Sequence, residues 1–251
     1  MNNLPSRFTL PFVKKELIKN NIYKFYFDRI AYTFDFFVGQ YVRMELPLSQ
    51  KDRQGNYRFL TICSSQNNRK EVAILVRIDD KPSVFKQQML RLTPGKKVIF
   101  WGPSGNFYLP KKTVASSYTF IAGGVGIAPF LGMLDFLIEE NQVIKVTLLV
   151  SFSSLTHIAF WEELKQLERQ YSFLTVVYTI TQDTKLPKTW QGEKGRITKT
   201  MINKYVKDIN SSHFFVCGSI IMVANVSDML LEMGVKSEHI SGENFTGDDI
   251  D

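Results

Sequence analysis

The feature that most constrains this chain is a change of rhythm near its middle. Up to about residue 110, short β-prone runs recur: Phe8–Val13, Ile22–Phe27, Tyr41–Leu46, Phe59–Ser64, Glu71–Ile78 and Lys97–Trp101. Turn signals separate them, among them Val38-Gly39-Gln40, Gln54-Gly55-Asn56 and Thr93-Pro94-Gly95. Strands this short, in regular succession, favour a small antiparallel barrel or sandwich. One helix interrupts them, with Ser83 as its cap and Val84, Phe85, Met89, Leu90 and Leu92 as its apolar stripe. The second half alternates strand and helix instead. Strands are expected at Tyr118–Ala122, Val143–Phe152, Phe173–Thr181, His213–Cys217 and Glu238–Phe245, with helices over Pro129–Asn141, Ile158–Gln170 and Ile220–Met233. Apolar strands alternating with helices build a parallel sheet covered on both faces. The expected architecture is two-domain: an antiparallel β-barrel over residues 1–113, then an α/β parallel-sheet domain over 114–251. The boundary falls in the polar stretch Lys111–Ser117.

The chain has 251 residues, enough for each half to bury its own core. No uncharged apolar run approaches the ~18 residues of a membrane span. The N-terminus lacks a basic-then-apolar leader, and Cys63 and Cys217 have no metal-ligand spacing. His157, His213 and His239 are scattered, so no metal is expected. These features describe a cytoplasmic protein with free thiols, and leave its oligomeric state open. Charge is unevenly divided. Residues 1–113 carry 20 Lys and Arg against 8 Asp and Glu, net +12, whereas residues 114–251 carry 11 against 16, net −5. No nucleic-acid-binding motif accompanies the basic half, so no nucleic-acid partner is expected.

Four local patterns carry possible chemistry. Phe120-Ile121-Ala122-Gly123-Gly124-Val125-Gly126-Ile127-Ala128-Pro129 runs from a buried strand through glycines into a helix with proline in its first turn. Glycines let a backbone approach a ligand closely, and a helix N-terminus favours a diphosphate, though such a turn is also ordinary architecture. Tyr57-Arg58-Phe59-Leu60-Thr61-Ile62-Cys63 is a strand placing Arg58, Leu60 and Ile62 on one face and Phe59, Thr61 and Cys63 on the other. Alone, it reads as a half-buried strand with a surface arginine. Trp101-Gly102-Pro103-Ser104-Gly105-Asn106-Phe107 is a glycine–proline turn. Phe215-Val216-Cys217-Gly218-Ser219, followed by Met222, ends a strand in small residues at the ligand edge of a parallel sheet.

Taken in order, these patterns resemble the ferredoxin–NADP reductase superfamily, whose members join a flavin barrel to a nicotinamide-nucleotide domain. Arg58-x-x-Thr61 is similar to its flavin motif, Val38-Gly39-Gln40 to its Pro-Gly-Gln turn, and Gly102-Pro103-x-Gly105-x-Phe107 to the end of its barrel. Gly123–Phe130 resembles its nicotinamide signature, Cys217-Gly218-x-x-x-Met222 its Cys-Gly-Pro-x-x-Met, and Glu243-x-Phe245 its terminal Glu-x-aromatic. The resemblance implies an FAD-dependent oxidoreductase fed by NAD(P)H that passes electrons to a separate acceptor. It assigns Arg58 to the FAD diphosphate, with Lys81, Pro82 and Ser83 bringing a helix N-terminus to the same group. It sets Phe59 and Leu60 on the flavin strand, Thr61 beside flavin N5, and the Val76 and Arg77 backbone along the ring. Gly124, Val125, Gly126, Ile127, Ala128 and Pro129 would bind the nicotinamide nucleotide with Cys217 and Gly218. Thr61, Cys217 and Glu243 would be catalytic, and Phe245 would cover the flavin.

Three positions depart from the family: Leu60 replaces the stacking aromatic, Ser219 a proline, and Val38 another proline. Leu60 keeps open a second reading, a reductase of free flavin. A third is the reductase subunit of a larger electron-transfer complex. No four-cysteine iron–sulphur pattern is present. The loop implied to meet the adenosine ribose, Ser151–His157, has neither a cation for a 2′-phosphate nor a carboxylate for the ribose, so the reading leans to NADH, while Lys185, Lys188 and Arg196 in the next loop keep NADPH open. The +12 half points to an acidic redox protein, ferredoxin- or flavodoxin-like, as acceptor.

Overall fold

The computed structural model describes residues 6–32, 34–110, 115–142 and 144–245. The boundary residues 111–114, the start of the strand expected at Val143, and the acidic residues Asp248, Asp249 and Asp251 lie outside them. Packing divides the chain into two compact units: residues 1–109 with 128–141, and residues 110–127 with 142–251.

The first unit holds β1 (Ser6–Lys19), β2 (Ile22–Asp28), β3 (Tyr41–Glu45), β4 (Tyr57–Thr61), β5 (Glu71–Arg77) and β6 (Lys97–Ser104). They form an antiparallel sheet of order β4-β3-β6-β1-β2-β5. Its two edges meet where Ile62 bridges Ile74 and the Cys63 N–H donates to the Ala73 carbonyl at 2.8 Å. The sheet thereby closes into a barrel and hides its edges. Strand β1 is long because it serves two partners. Residues Ser6–Pro11 pair with β6, and Phe12–Lys19 with β2. Pro11, which has no N–H to donate, sits where the pairing changes hands. The barrel interior is aromatic: Phe12, Phe25, Phe27, Phe85 and Phe100 are buried, and the Phe27 and Phe100 rings meet edge-on at 5.0 Å. Each such ring contributes about 1.5–3 kcal/mol through burial.

Two helices complete this unit. The first, α1 (Val84–Leu90), begins at Ser83, whose Oγ accepts from the Lys86 N–H as the sequence predicts. The second, α2 (Ala128–Glu139), follows the glycine turn in sequence yet packs within the first unit. The reason is local fit. Gly132 lies so close to the β4–β5 connection that an added Cβ would stand 2.8 Å from the Ser64 carbonyl oxygen. Ser65 hydrogen-bonds Glu139, Asn67 donates to Glu140 at 2.7 Å, and Phe130 meets Phe107 edge-on.

The second unit holds β7 (Ser117–Gly123), β8 (Lys145–Phe152), β9 (Leu174–Ile180), β10 (Glu193–Lys194), β11 (Ser212–Ser219) and β12 (Ile240–Phe245). All run parallel in the order β10-β9-β8-β7-β11-β12, joined by α3 (Trp161–Gln170), α4 (Lys199–Tyr205) and α5 (Ile220–Glu232). The chain winds outward from β7 to β10, then returns to the other side of β7 as β11. That reversal makes the gap between β7 and β11 the switch point where such sheets take ligands, outside the strands' C-terminal ends. Among the described residues no helix is long and apolar enough to cross a membrane.

Candidate functional site

In the first unit the candidate residues gather around β4. Arg58 is not the surface arginine that the motif alone suggests. Its side chain is 11% exposed and its guanidinium lies 4.8 Å from the Phe85 ring centroid. Nη1 donates to the carbonyls of Tyr57 (2.8 Å) and Gly55 (3.2 Å), and Nη2 to Asp52 Oδ1 (2.8 Å) and Ser83 Oγ (3.4 Å). The Ser83 contact is longer than those to Tyr57, Gly55 and Asp52. Arg58 and Ser83, assigned from separate stretches of sequence, therefore converge, and a planar cation beside a hydroxyl suits a diphosphate. The first turn of α1 is more committed than expected. Its Phe85 N–H already donates to Asp52 Oδ2 (2.8 Å), and its Lys86 N–H to Ser83. Lys81 is exposed, and Pro82 half-buried.

Along β4 the expected alternation holds. Leu60 packs against the barrel core and Ile62 is fully buried, while Phe59 is 62% exposed, its ring edge-on to Tyr41 and Tyr57. Thr61 is buried opposite Tyr41 on β3. On β5, Val76 is buried opposite Tyr23, and exposed Arg77 pairs with Asp79 at 3.2 Å. Two other motifs lock to each other. A Cβ on Gly39 would stand 2.2 Å from the Phe107 carbonyl oxygen, and Gln40 Nε2 donates to the Gly105 carbonyl at 3.1 Å. They tie the turn before β3 to the segment that follows β6.

In the second unit the glycine turn occupies the switch point. Gly124–Ile127 form a single 3-10 turn leading into α2. Gly126 presses on the end of β11: an added Cβ would lie 2.3 Å from the Cys217 carbonyl oxygen and 3.0 Å from Gly218 Cα. Gly123 meets Met222 Sδ with the same closeness, 2.3 Å. Gly124 differs, with a left-handed φ of +53° and no atom within 4 Å of an added Cβ. Gly123 and Gly126 are needed for packing, and Gly124 for an open backbone turn. Val125 is half-buried, and Ile127, Ala128 and Pro129 are buried at the start of α2.

Cys217 and Glu243 face each other in register across β11 and β12, and Phe245 is half-buried opposite Ser219. Cys217 is fully buried. Burial, with the charge of Glu243 added, pushes its pKa well above the ordinary thiol value. It is therefore a neutral thiol at physiological pH and no thiolate nucleophile.

Sequence reasoning missed Asp52, which no motif contains. It also missed α4 and the two-residue β10, and the turn Trp190-x-Gly192-x-x-Gly195 leading into β10 and beyond it. A Cβ on Gly192 would stand 2.5 Å from the Tyr178 carbonyl oxygen, and Gly195 has φ +93°. The glycine spacing was the available signal. The loop Ser151–His157 does carry no acid of its own, but the structure brings one to it: Asp183 Oδ2 accepts from the Leu155 N–H at 2.8 Å.

Residues 9–108 match the sequence model of the oxidoreductase FAD-binding domain, and residues 120–228 that of the oxidoreductase NAD-binding domain. A subunit of the Na(+)-translocating NADH-quinone reductase of Klebsiella pneumoniae is 30% identical over 174 residues, covering 67% of this chain and 42% of that protein. The anthranilate 1,2-dioxygenase electron transfer component of Acinetobacter baylyi is 25% identical, covering 84% and 58%. The chain thus spans about half the length of these relatives. Two solved structures share the fold. They are the FAD/NAD-binding domain of nitric oxide dioxygenase from Vibrio cholerae (TM-score 0.81, 22% identity, 94% and 98% covered) and a ferredoxin NADP+ reductase from Neisseria gonorrhoeae (0.77, 20%, 95% and 98%).

Proposed function

The chain belongs to the ferredoxin–NADP reductase superfamily, and from that premise we propose that it takes electrons from NAD(P)H and hands them to a separate acceptor. The observation that carries this reading is the glycine turn at the sheet's switch point, closed by Cys217-Gly218, in the same chain as the Arg58–Ser83 pair. FAD, when bound, supplies the two-electron chemistry that NAD(P)H requires, and can release electrons singly. The protein's own contribution is positional. Arg58 and Ser83 hold the cofactor's diphosphate, Thr61 offers a hydroxyl to the flavin ring, and the Val76–Arg77 backbone edges that ring. The turn Gly124–Pro129, with Gly218, holds the nicotinamide nucleotide. Cys217, as a neutral thiol, and Glu243, its neighbour across β11 and β12, would border the nicotinamide.

For the nucleotide we propose NADH. Asp183 adds a carboxylate to a loop without cations, which disfavours a 2′-phosphate and suits ribose hydroxyls. For the acceptor we propose an acidic redox protein, because the barrel half carries +12. Two buried cysteines outside any disulfide suit a reducing, cytoplasmic setting. A second reading has its own support. The names of the relatives, a quinone-reductase subunit and an electron transfer component, favour a reductase that works inside a larger assembly. Acceptor reduction measured against ionic strength tests the acceptor class. With an acidic ferredoxin or flavodoxin the rate should fall steeply as the Debye length shrinks from ~30 Å at 0.01 M to ~8 Å at 0.15 M, while a neutral dye stays level. Parallel level responses would remove the acidic acceptor.

A further inference from the structure

Asp52 lies in the connection between β3 and β4, outside every motif, yet it is the most buried carboxylate at the candidate flavin site, its side chain 2% exposed. Three donors meet it: Arg58 Nη2 and the Gln54 N–H at Oδ1 (2.8 and 2.9 Å), and the Phe85 N–H at Oδ2 (2.8 Å). Burial pushes its pKa up, but those hydrogen bonds and the arginine's charge outweigh it and hold the pKa below the ordinary carboxylate value. An ionised carboxylate that a sheet connection buries at this depth, anchored by two backbone amides, is a fixed point. The side chain that donates to it is Arg58, so the anchor's orientation passes to the guanidinium.

Resting on the flavin reading above, we propose that Asp52 is a positioning residue for diphosphate recognition: it fixes the plane of Arg58 so that the guanidinium edge shared with Ser83 meets the anion already ordered. A long arginine side chain left unanchored loses rotamer freedom on binding, and pre-ordering removes that cost. The carboxylate's charge opposes that of a diphosphate, so the gain comes through order at Arg58 and not through attraction.

This gives a test whose sign separates the possibilities. The full chain, stripped of flavin, is titrated with FAD and with riboflavin, which lacks phosphate, by quenching of flavin fluorescence. Asp52→Asn keeps the shape and removes the second acceptor oxygen and the charge. It should weaken FAD about tenfold, the effect of one charge-assisted contact, and leave riboflavin unchanged. In an Arg58→Ala background the same substitution should weaken FAD no further. Asp52→Ala, if folded by circular dichroism, should behave alike; if it does not fold, Asp52→Asn decides. FAD bound as tightly or more tightly by Asp52→Asn would overturn the proposal. So would equal weakening in both backgrounds, or riboflavin weakened by the same factor. Wild-type protein that binds neither flavin would instead overturn the flavin reading, and this proposal with it.

Discussion

Gly126→Ala is the sharpest perturbation of the glycine turn proposed to hold the nucleotide. The added methyl would stand 2.3 Å from the Cys217 carbonyl oxygen, 2.7 Å from its carbonyl carbon and 3.0 Å from Gly218 Cα. Comfortable contact between such atoms is about 3.5 Å, so the turn and the end of β11 must separate by roughly 1 Å. Neither side is a flexible side chain; both are backbone, and β11 is held between β7 and β12. Overpacking of this kind costs about 1–3 kcal/mol, which lowers Tm by about 2–4 °C per kcal/mol in a protein this size. A 1 Å displacement of a binding group can cost about a hundredfold in rate. The expected result is a modest loss in Tm and a 10- to 100-fold loss in kcat/KM for NADH, with FAD affinity unchanged. Gly124→Ala is the control. Nothing crowds its Cβ, and only its left-handed φ of +53° resists, at about 1–2 kcal/mol. Calorimetry and steady-state NADH oxidation read both variants. A Gly126→Ala protein with native Tm and native kcat/KM would refute the claim that this contact seats the nucleotide turn.

Other consequences follow from single groups. Arg58→Ala should weaken FAD by about ten- to a hundredfold, the effect of removing a charge-assisted contact of ~1.5–3 kcal/mol, measured by flavin titration. Arg29 is buried and donates to the carbonyls of Phe34 (2.7 Å), Asn68 (3.0 Å) and Gln66 (3.4 Å), so Arg29→Met should cost about 2–4 kcal/mol in urea unfolding without changing activity per folded molecule. His213 is half-buried, hydrogen-bonded to Ser241 and near His239; burial, then the neighbouring imidazole, lowers its pKa from 6.5. The unfolded chain therefore binds this proton more readily, so the contribution is whole above pH 6.5 and is lost as pH falls through the folded pKa. Thermal unfolding at pH 7.5 and 5.5 should show that loss in wild type and less of it in His213→Gln.

Much of this architecture was legible because periodicity and glycine placement are local. The switch from period-two runs to strand–helix alternation, the Ser83 cap and the glycine turn each follow from a few neighbouring residues. What escaped is what the chain brings together from a distance. Asp52 carries no local signature, and its place against Arg58 and Phe85 follows from how the β3–β4 connection folds back on α1. Asp183 reaches the loop after β8 from the loop after β9, a neighbour created by sheet order alone. Helix α2 reads as part of the second half because it follows β7, yet Gly132 lets it pack on the β4–β5 connection. The two-residue β10 has too few residues to show a period.

The central claim is that one chain binds FAD and reduces it with a nicotinamide nucleotide. An anaerobic titration followed by visible absorbance tests it most directly. Protein purified, or reconstituted with FAD and desalted, should carry one flavin per chain with a resolved absorption band. That band should bleach on addition of about one equivalent of NADH, more readily than with NADPH. A chain that retains no flavin after reconstitution, or a bound flavin that neither nucleotide bleaches, would contradict the account.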